Sequence, residues 1–469
     1  MSLRRREFLV TPAFLAAAAP STGARVEEIE TRYDDFRYRA PYKFGGQEVD
    51  RVTVLTVRCR ILGRNGKTAT GLAAIPLGNA WSFPAPDIPY AATLDAMRRL
   101  AEKIAGLTRS YRDFGHPLDA NHALEPEFLK AAADLSKDMA LPRPIPKLCT
   151  LVTASPFDSA LHDAFGRLHA RNSFTVCGKD FVRFDLAHYL NSDFRGEFLD
   201  PYVLPKCVPR VRMYHSVGAS DTLAAADSHS LLNDGLPETL EDWIPYSGIR
   251  AIKIKLNGND LEWDVDRVAA IERVTAAAQR KLGVSEWLYS LDFNERCPNV
   301  AYLLAFERGL KTKAPAAFGR VQYIEQPTAR DLAADRQNTM FEAAKLKPVV
   351  IDESLTGLDA LLLAREMGYT GVALKACKGQ SQTLLLAAAA QRYKMFRCVQ
   401  DLTCPGAALV QSVGIAAHIP GTAAVEANAR EYVPAASRGW ERRFPGIFNV
   451  RNGFLETAGL DAPGLCTQP

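Results

Sequence analysis

From about residue 205 onward, short runs rich in β-branched and aromatic residues alternate with longer runs whose apolar positions recur every three or four residues. The strand-like runs are Val211 to Val217, Ala251 to Leu256, Trp287 to Asn294, Val321 to Gln326, Val349 to Ser354, Gly371 to Ala376, Phe396 to Leu402 and Ala423 to Ala427. Helical runs intervene, among them Leu261 to Lys281, Val300 to Leu310, Leu358 to Met367 and Gln382 to Tyr393. Eight strand–helix repeats predict an α/β fold with a closed parallel sheet, a (β/α)8 or TIM-like barrel.

The first third of the chain has another texture. Val26 to Pro76 reads as strand, with Val52 to Ile61 alternating apolar and polar and Gly63 to Gly66 marking a hairpin turn. Helical periodicity follows over Leu94 to Leu107 and Glu125 to Met139, which predicts a modest α+β domain. Ser155 to His169 reads as a helix opening, with Ser155 as its cap, Pro156 in the first turn and Asp158 near the positive end of the dipole.

Composition narrows the function classes. The 469 residues carry 57 basic and 53 acidic side chains, a net charge of +4 without a block of like charge, so nucleic-acid binding is not expected. No apolar run approaches the roughly 18 residues of a membrane span. The nine cysteines lie far apart with no C-x-x-C pair, which excludes zinc-type spacing and predicts buried thiols. Arg5-Arg6-Glu7-Phe8-Leu9, followed by an alanine-rich stretch to Ala19, resembles a twin-arginine export signal. Cleavage after Ala19 or Ala24 and a periplasmic or otherwise exported location are expected; the alternative is a basic tail on a cytoplasmic protein.

In a parallel barrel the active site forms at the C-terminal ends of the strands. Strand two ends Lys253-Ile254-Lys255, and the two-residue strand period puts both lysines on one face. Strand three ends Asp292-Phe293-Asn294, strand four Glu325-Gln326-Pro327, strand five Asp352-Glu353-Ser354 and strand six Leu374-Lys375, across the mouth from strand two. Converging carboxylates in a low-dielectric cleft need a shared cation, and oxygen ligands favour Mg2+ or Mn2+. Crowded positive charge is expected to lower a lysine pKa, making one lysine a base. Because neighbouring strand residues face opposite ways, Asp352 rather than Glu353 is the expected ligand.

These motifs resemble the muconate lactonising and dipeptide epimerase branch of the enolase superfamily. That signature is K-x-K on the second strand, metal-binding Asp, Glu and Asp on the next three, and Lys on the sixth. It matches Lys253 and Lys255, Asp292 in L-D-F-N, Glu325 in I-E-Q-P, Asp352 in I-D-E-S and Lys375 in A-L-K. Ala160-Leu161-His162-Asp163 with Gly166 is similar to the family's helix joining cap to barrel, and Gly453 to Thr457 with Pro463-Gly464 to its C-terminal return to the cap. The resemblance implies residues 1–24 as signal or tail, 25–150 as an α+β capping domain, 151–435 as barrel and 436–469 as the return. It also implies lids at Tyr42 to Gly46 and Gly78 to Trp81.

Strand eight reads Val425-Glu426-Ala427-Asn428 in place of the epimerases' acidic D-x-D, and strand seven ends Gln400-Asp401 without a base histidine. Glu426 resembles the strand-eight glutamate that lends a proton or hydrogen bond to a substrate carboxylate. The expected chemistry is Mg2+-dependent removal of the proton α to a substrate carboxylate, with Lys255 or Lys375 as base and Lys253 stabilising the enediolate. Asn294, Asp401, Tyr42 and Phe44 are expected to bind substrate. Two opposed lysines favour racemisation or epimerisation of an amino-acid or dipeptide-like acid; dehydration or cycloisomerisation is the alternative. A non-catalytic binder of acidic metabolites fits less well with intact ligands and lysines. The partner is a small carboxylate, and a homo-oligomer is expected.

Overall fold

The computed structural model describes residues 21–227 and 232–468, so the twin-arginine motif at Arg5 and Arg6 lies outside the described residues. The chain first forms an antiparallel sheet of β1 (Ala24–Phe44), β2 (Gln47–Gly63) and β3 (Thr68–Pro76), in that order. Leu55, Val57, Cys59 and Ile61 of β2 are fully buried, while the alternate Arg58 and Arg60 face solvent and pair with Glu30 and Glu28 of β1. The helices Tyr90–Ser110 and Pro117–Asp138 pack on the apolar face, using Met97, Leu100 and Ile104 among others.

Pairing of β1 with β2 slips between Arg37 and Tyr42, where Pro41 has no N–H to give. The slip carries the Tyr42–Phe44 tip onto the barrel mouth. Gly45 there has φ 53°, and a Cβ on it would stand 3.1 Å from the Asn294 side chain, so hand and space both favour glycine.

One long helix, Lys147–Leu168, runs from cap to barrel, and it corrects the expectation of a helix opening at Ser155. Pro156 sits in its middle and leaves the carbonyl of Val152 without its helical N–H, but the Ser155 hydroxyl donates to that carbonyl at 2.9 Å. Further along, Asp163 accepts from Leu72 N of β3 at 3.0 Å and from Leu465 N of the C-terminal tail at 2.7 Å, fastening cap, barrel and tail together.

The second sheet is the barrel of eight parallel strands: β4 (Arg210–Val217), β5 (Ala251–Lys255), β6 (Leu288–Asp292), β7 (Val321–Glu325), β8 (Val349–Ile351), β9 (Gly371–Leu374), β10 (Phe396–Val399) and β11 (Val425–Glu426). It closes through Val425 opposite Met213 and Glu426 opposite Tyr214. All eight strands occur where the hydrophobic pattern predicts them, seven trimmed at their ends and β4 one residue longer. Inside, Tyr214 and Tyr323 fill the barrel against Ala251, Ala373 and Ala424, large residues set among small ones. A short β12 (Phe454–Glu456) adds antiparallel to the start of β4. The tail then reaches the cap, where Gln468 Nε2 donates to Thr70 O at 2.8 Å.

All nine cysteines are unpaired and eight are buried, as predicted. Among the described residues no helix is long and apolar enough to cross a membrane.

Candidate active site

The two-residue period of β5 turns Ile252 and Ile254 outward to the helices and Lys253 and Lys255 into the mouth. Strand register sets Lys255 beside Asp292, and Asp292 beside Glu325. On β8, Val350 points into the barrel, so by alternation Asp352 does too.

Lys253 is 1% exposed and occupies the centre. Its Nζ lies 3.0 Å from Asp292 Oδ2, 2.9 Å from Glu325 Oε1, 3.1 Å from Glu426 Oε2 and 2.8 Å from Gln400 Oε1. Lys255 Nζ stands 2.6 Å from Asp292 Oδ2 and faces the Phe44 ring at 5.8 Å. On the opposite side Lys375 Nζ is 2.8 Å from Asp352 Oδ2, donates to Asp401 O at 3.1 Å and sits 4.1 Å from the centroid of the Trp81 ring. Lys378 adds a second ammonium to Asp352, 3.1 Å from Oδ1.

The lysine pKa values correct the expectation from crowding. Burial works to lower Lys253 and Lys375, yet carboxylates outweigh it and hold both above the ordinary lysine range: Asp292, Glu325 and Glu426 for Lys253, Asp352 for Lys375. Burial likewise works to raise Asp292, but Lys253 and Lys255 keep it below the usual carboxylate range. Glu325 goes the other way: burial, with Asp292 and Asp352 nearby, lifts it well above normal because it shares a single ammonium and its Oε2 has no partner. Burial also pushes Glu353 up to about 7, helped by Asp352, and Asp401 up to about 7, helped by Glu426.

The cap closes over this arrangement. Tyr42 donates to or accepts from Ser216 Oγ at 2.9 Å, and Trp81 Nε1 donates to Glu353 Oε1 at 2.8 Å. Asn294 Nδ2 donates to the same Glu353 oxygen at 3.0 Å. Gly78, at φ 53°, lies so near Leu402 that a Cβ would come within 2.6 Å of it. Tyr42, Phe44, Trp81, Lys255, Asn294, Lys375, Asp401 and Glu426 thus line one half-open cavity of about 30 Å³, room for one or two waters.

All the predicted site residues therefore gather at one mouth. Sequence reasoning passed over Lys378 and the Trp81–Glu353 contact, and it placed Gln400 at the end of strand seven without giving it a role. Lys378 was within reach, three residues beyond Lys375 on the turn that follows β9; the 272-residue separation of Trp81 and Glu353 left no local signal.

Among the described residues no three Asp, Glu, His or Cys side chains are drawn together as a ready metal cage, since ammonium groups stand between the carboxylates. The donor chemistry still suits a hard divalent cation: Glu325 Oε2, Asp352 Oδ2 and Glu353 Oε2 are buried carboxylate oxygens without an aligned hydrogen bond.

The chain is thus a closed parallel barrel with lysines and carboxylates at its mouth under a separate α+β cap. Residues 236–469 match the family model described as enolase C-terminal domain-like, and the chain belongs to the enolase superfamily, as an enzyme of its mandelate racemase and muconate lactonizing side. Among solved structures it is similar to a dipeptide epimerase from Enterococcus faecalis complexed with Mg and the dipeptide L-Leu-L-Tyr, at 14% identity and TM-score 0.59, over 94% of this chain and 99% of that one. It is also similar to the muconate lactonizing enzyme of Pseudomonas fluorescens complexed with muconolactone, at 16% identity and TM-score 0.58, over 95% of this chain and 96% of that one. An N-succinyl Arg/Lys racemase from Bacillus cereus superposes at TM-score 0.60 with 14% identity, over 94% of each chain. At such identities the likeness is one of fold. No curated protein matches the chain in sequence.

Proposed function

We propose that the protein removes the proton α to a substrate carboxylate and returns it from the other face, racemising or epimerising an amino-acid or dipeptide-like acid. The observation that carries this reading is that Lys255 and Lys375, from β5 and β9, flank the same small cavity. A base reaches only a proton on its own face, within about 3 Å, so two faces need two bases. Lys253, fixed by three carboxylates, serves as permanent positive charge for the enediolate. Glu426, 3.1 Å from Lys253, is placed to share a proton or hydrogen bond with the substrate carboxylate. Asp292, Glu325 and Asp352 would hold Mg2+ (or Mn2+), which when bound supplies positive charge that acidifies the α-proton. The cavity is too small for a substrate, so the Tyr42–Phe44 tip and the Gly78–Trp81 segment must part to admit one.

A second reading, dehydration or cycloisomerisation, draws support from the asymmetry of the lysines. Lys375 is held as a cation by Asp352, Asp401 O and the Trp81 ring, whereas Lys255 has one carboxylate and the Phe44 face. Incubation in D2O with a panel of carboxylates, dipeptides and N-acyl amino acids tests both: solvent deuterium at the α-carbon of both enantiomers supports the two-base reaction. Deuterium in one enantiomer with loss of a β-group supports the alternative, and no exchange with any acid removes the assignment.

A further inference from the structure

The catalytic cavity holds about one or two waters, but a larger one, of about 330 Å³, lies directly behind its aromatic wall. The wall is the pair Tyr42, which lines the catalytic cavity, and Tyr432, which lines the larger one; their ring centroids are 4.3 Å apart. The second cavity is acidic: Glu48, Asp221, Glu238 and Glu431 line it, and its Arg39 is already paired with Asp234 at 2.5 Å.

Glu431 is the telling residue. It is 5% exposed, and its Oε1 has no hydrogen bond. The nearest nitrogens are His215 Nδ1, at 2.8 Å but not aligned for a hydrogen bond and itself without a partner, and Arg430 Nε at 3.9 Å. Burial pushes the Glu431 carboxyl well above the usual range and Asp221 and Glu426 push the same way, with Arg430 alone opposing. Among the described residues Arg430, too far for a hydrogen bond, is the one cationic side chain paired with this carboxyl, and Oε1 stays without a hydrogen bond.

We propose that this cavity is a cation subsite that takes the ammonium or guanidinium group on the remote end of the substrate, with Glu431 as counter-ion. The proposal rests on reading the adjoining cavity as the site of proton abstraction. An anion would meet four carboxylates there, and a neutral group would leave Glu431 with Arg430, at 3.9 Å, as its one paired cation. The volume suits an extended side chain, and the catalytic cavity has no room for one. The substrate class is then a carboxylic acid with a positively charged far end, a cationic amino-acid derivative, its chain running past the Tyr42 and Tyr432 rings.

Agmatine, which carries a guanidinium and an amine but no carboxylate, probes the subsite without engaging the chemistry. Calorimetry of the whole chain is expected to show binding that weakens by about tenfold or more in Glu431→Gln and is unchanged in Lys255→Ala. If Glu431→Gln does not fold, Glu48→Lys at the exposed rim is expected to weaken binding by at least about fivefold. Agmatine that does not bind, or binds equally to wild type and to these variants, overturns the subsite. In parallel, α-deuterium exchange of N-acetylarginine should exceed that of N-acetylnorleucine in wild type and equal it in Glu431→Gln. Exchange by acids with no agmatine binding defeats the subsite and leaves the catalytic reading standing. Glu431-dependent agmatine binding with no exchange by any acid supports the cation site and defeats the catalytic reading.

Discussion

Replacing Lys255 or Lys375 with alanine isolates the chemistry, because neither change strands a buried charge. Without Lys255, Asp292 still has Lys253 at 3.0 Å; without Lys375, Asp352 still has Lys378 at 3.1 Å. The usual penalty of about 3–5 kcal/mol for orphaning one member of a buried pair is therefore avoided, and both variants should unfold near the wild-type temperature. A positioned base or acid contributes about 10²- to 10⁴-fold, which at 1.36 kcal/mol per tenfold is roughly 3–5 kcal/mol of barrier. For a racemase, Lys255→Ala should lose that factor in deuterium exchange of one enantiomer and much less for the other, and Lys375→Ala should do the converse. For a one-base reaction only one substitution abolishes exchange. The assay is proton NMR of the α-position in D2O, run separately on each enantiomer, with thermal unfolding as the control. Exchange that persists in the Lys255→Ala, Lys375→Ala double variant would show that the base lies elsewhere, with Asp401, raised to about 7, next in line.

Asp292→Ala, Glu325→Ala and Asp352→Ala should each abolish activity and weaken Mg2+ binding in calorimetry while the barrel stays folded by circular dichroism; full activity of any of them in chelator would refute the metal assignment. Glu307 is 1% exposed, both its carboxylate oxygens lack partners, and burial pushes it from 4.5 to about 8, with Lys347 opposing. The folded state thus keeps a proton that the unfolded state releases, so this group's contribution to stability falls as pH rises from about 4.5 to about 8 and levels off above. Glu307→Gln should flatten that stretch of a urea-midpoint profile and leave the variant the more stable protein at pH 8; an unchanged profile would count against it. We also propose export: Arg5→Lys with Arg6→Lys should retain the precursor in the cytoplasm, and fractionation of the unaltered protein wholly to the cytoplasm would refute this.

The order of the barrel was readable because parallel strands buried on both faces appear as compact apolar runs, and the helices between them keep a three-to-four period. Period two on β5 is enough to set Lys253 and Lys255 on one face, and strand ends are where barrel chemistry collects, so the carboxylates and lysines could be named from spacing. What spacing cannot carry is the balance of charges at a point. Proximity of like charges suggested a lowered lysine pKa, but only the closed barrel brings Asp292, Glu325 and Glu426 to within about 3 Å of one ammonium and reverses the direction. Pro156 looked like a helix start because proline costs a helix its hydrogen bond; the neighbouring Ser155 hydroxyl repairs that bond in three dimensions. The size of the cavity at the barrel mouth, the Trp81 contact to Glu353 and the setting of Glu431 beside His215 behind the tyrosine wall all depend on residues far apart in the chain. Local periodicity fixes which face a side chain takes, and only packing between distant segments decides what it meets there.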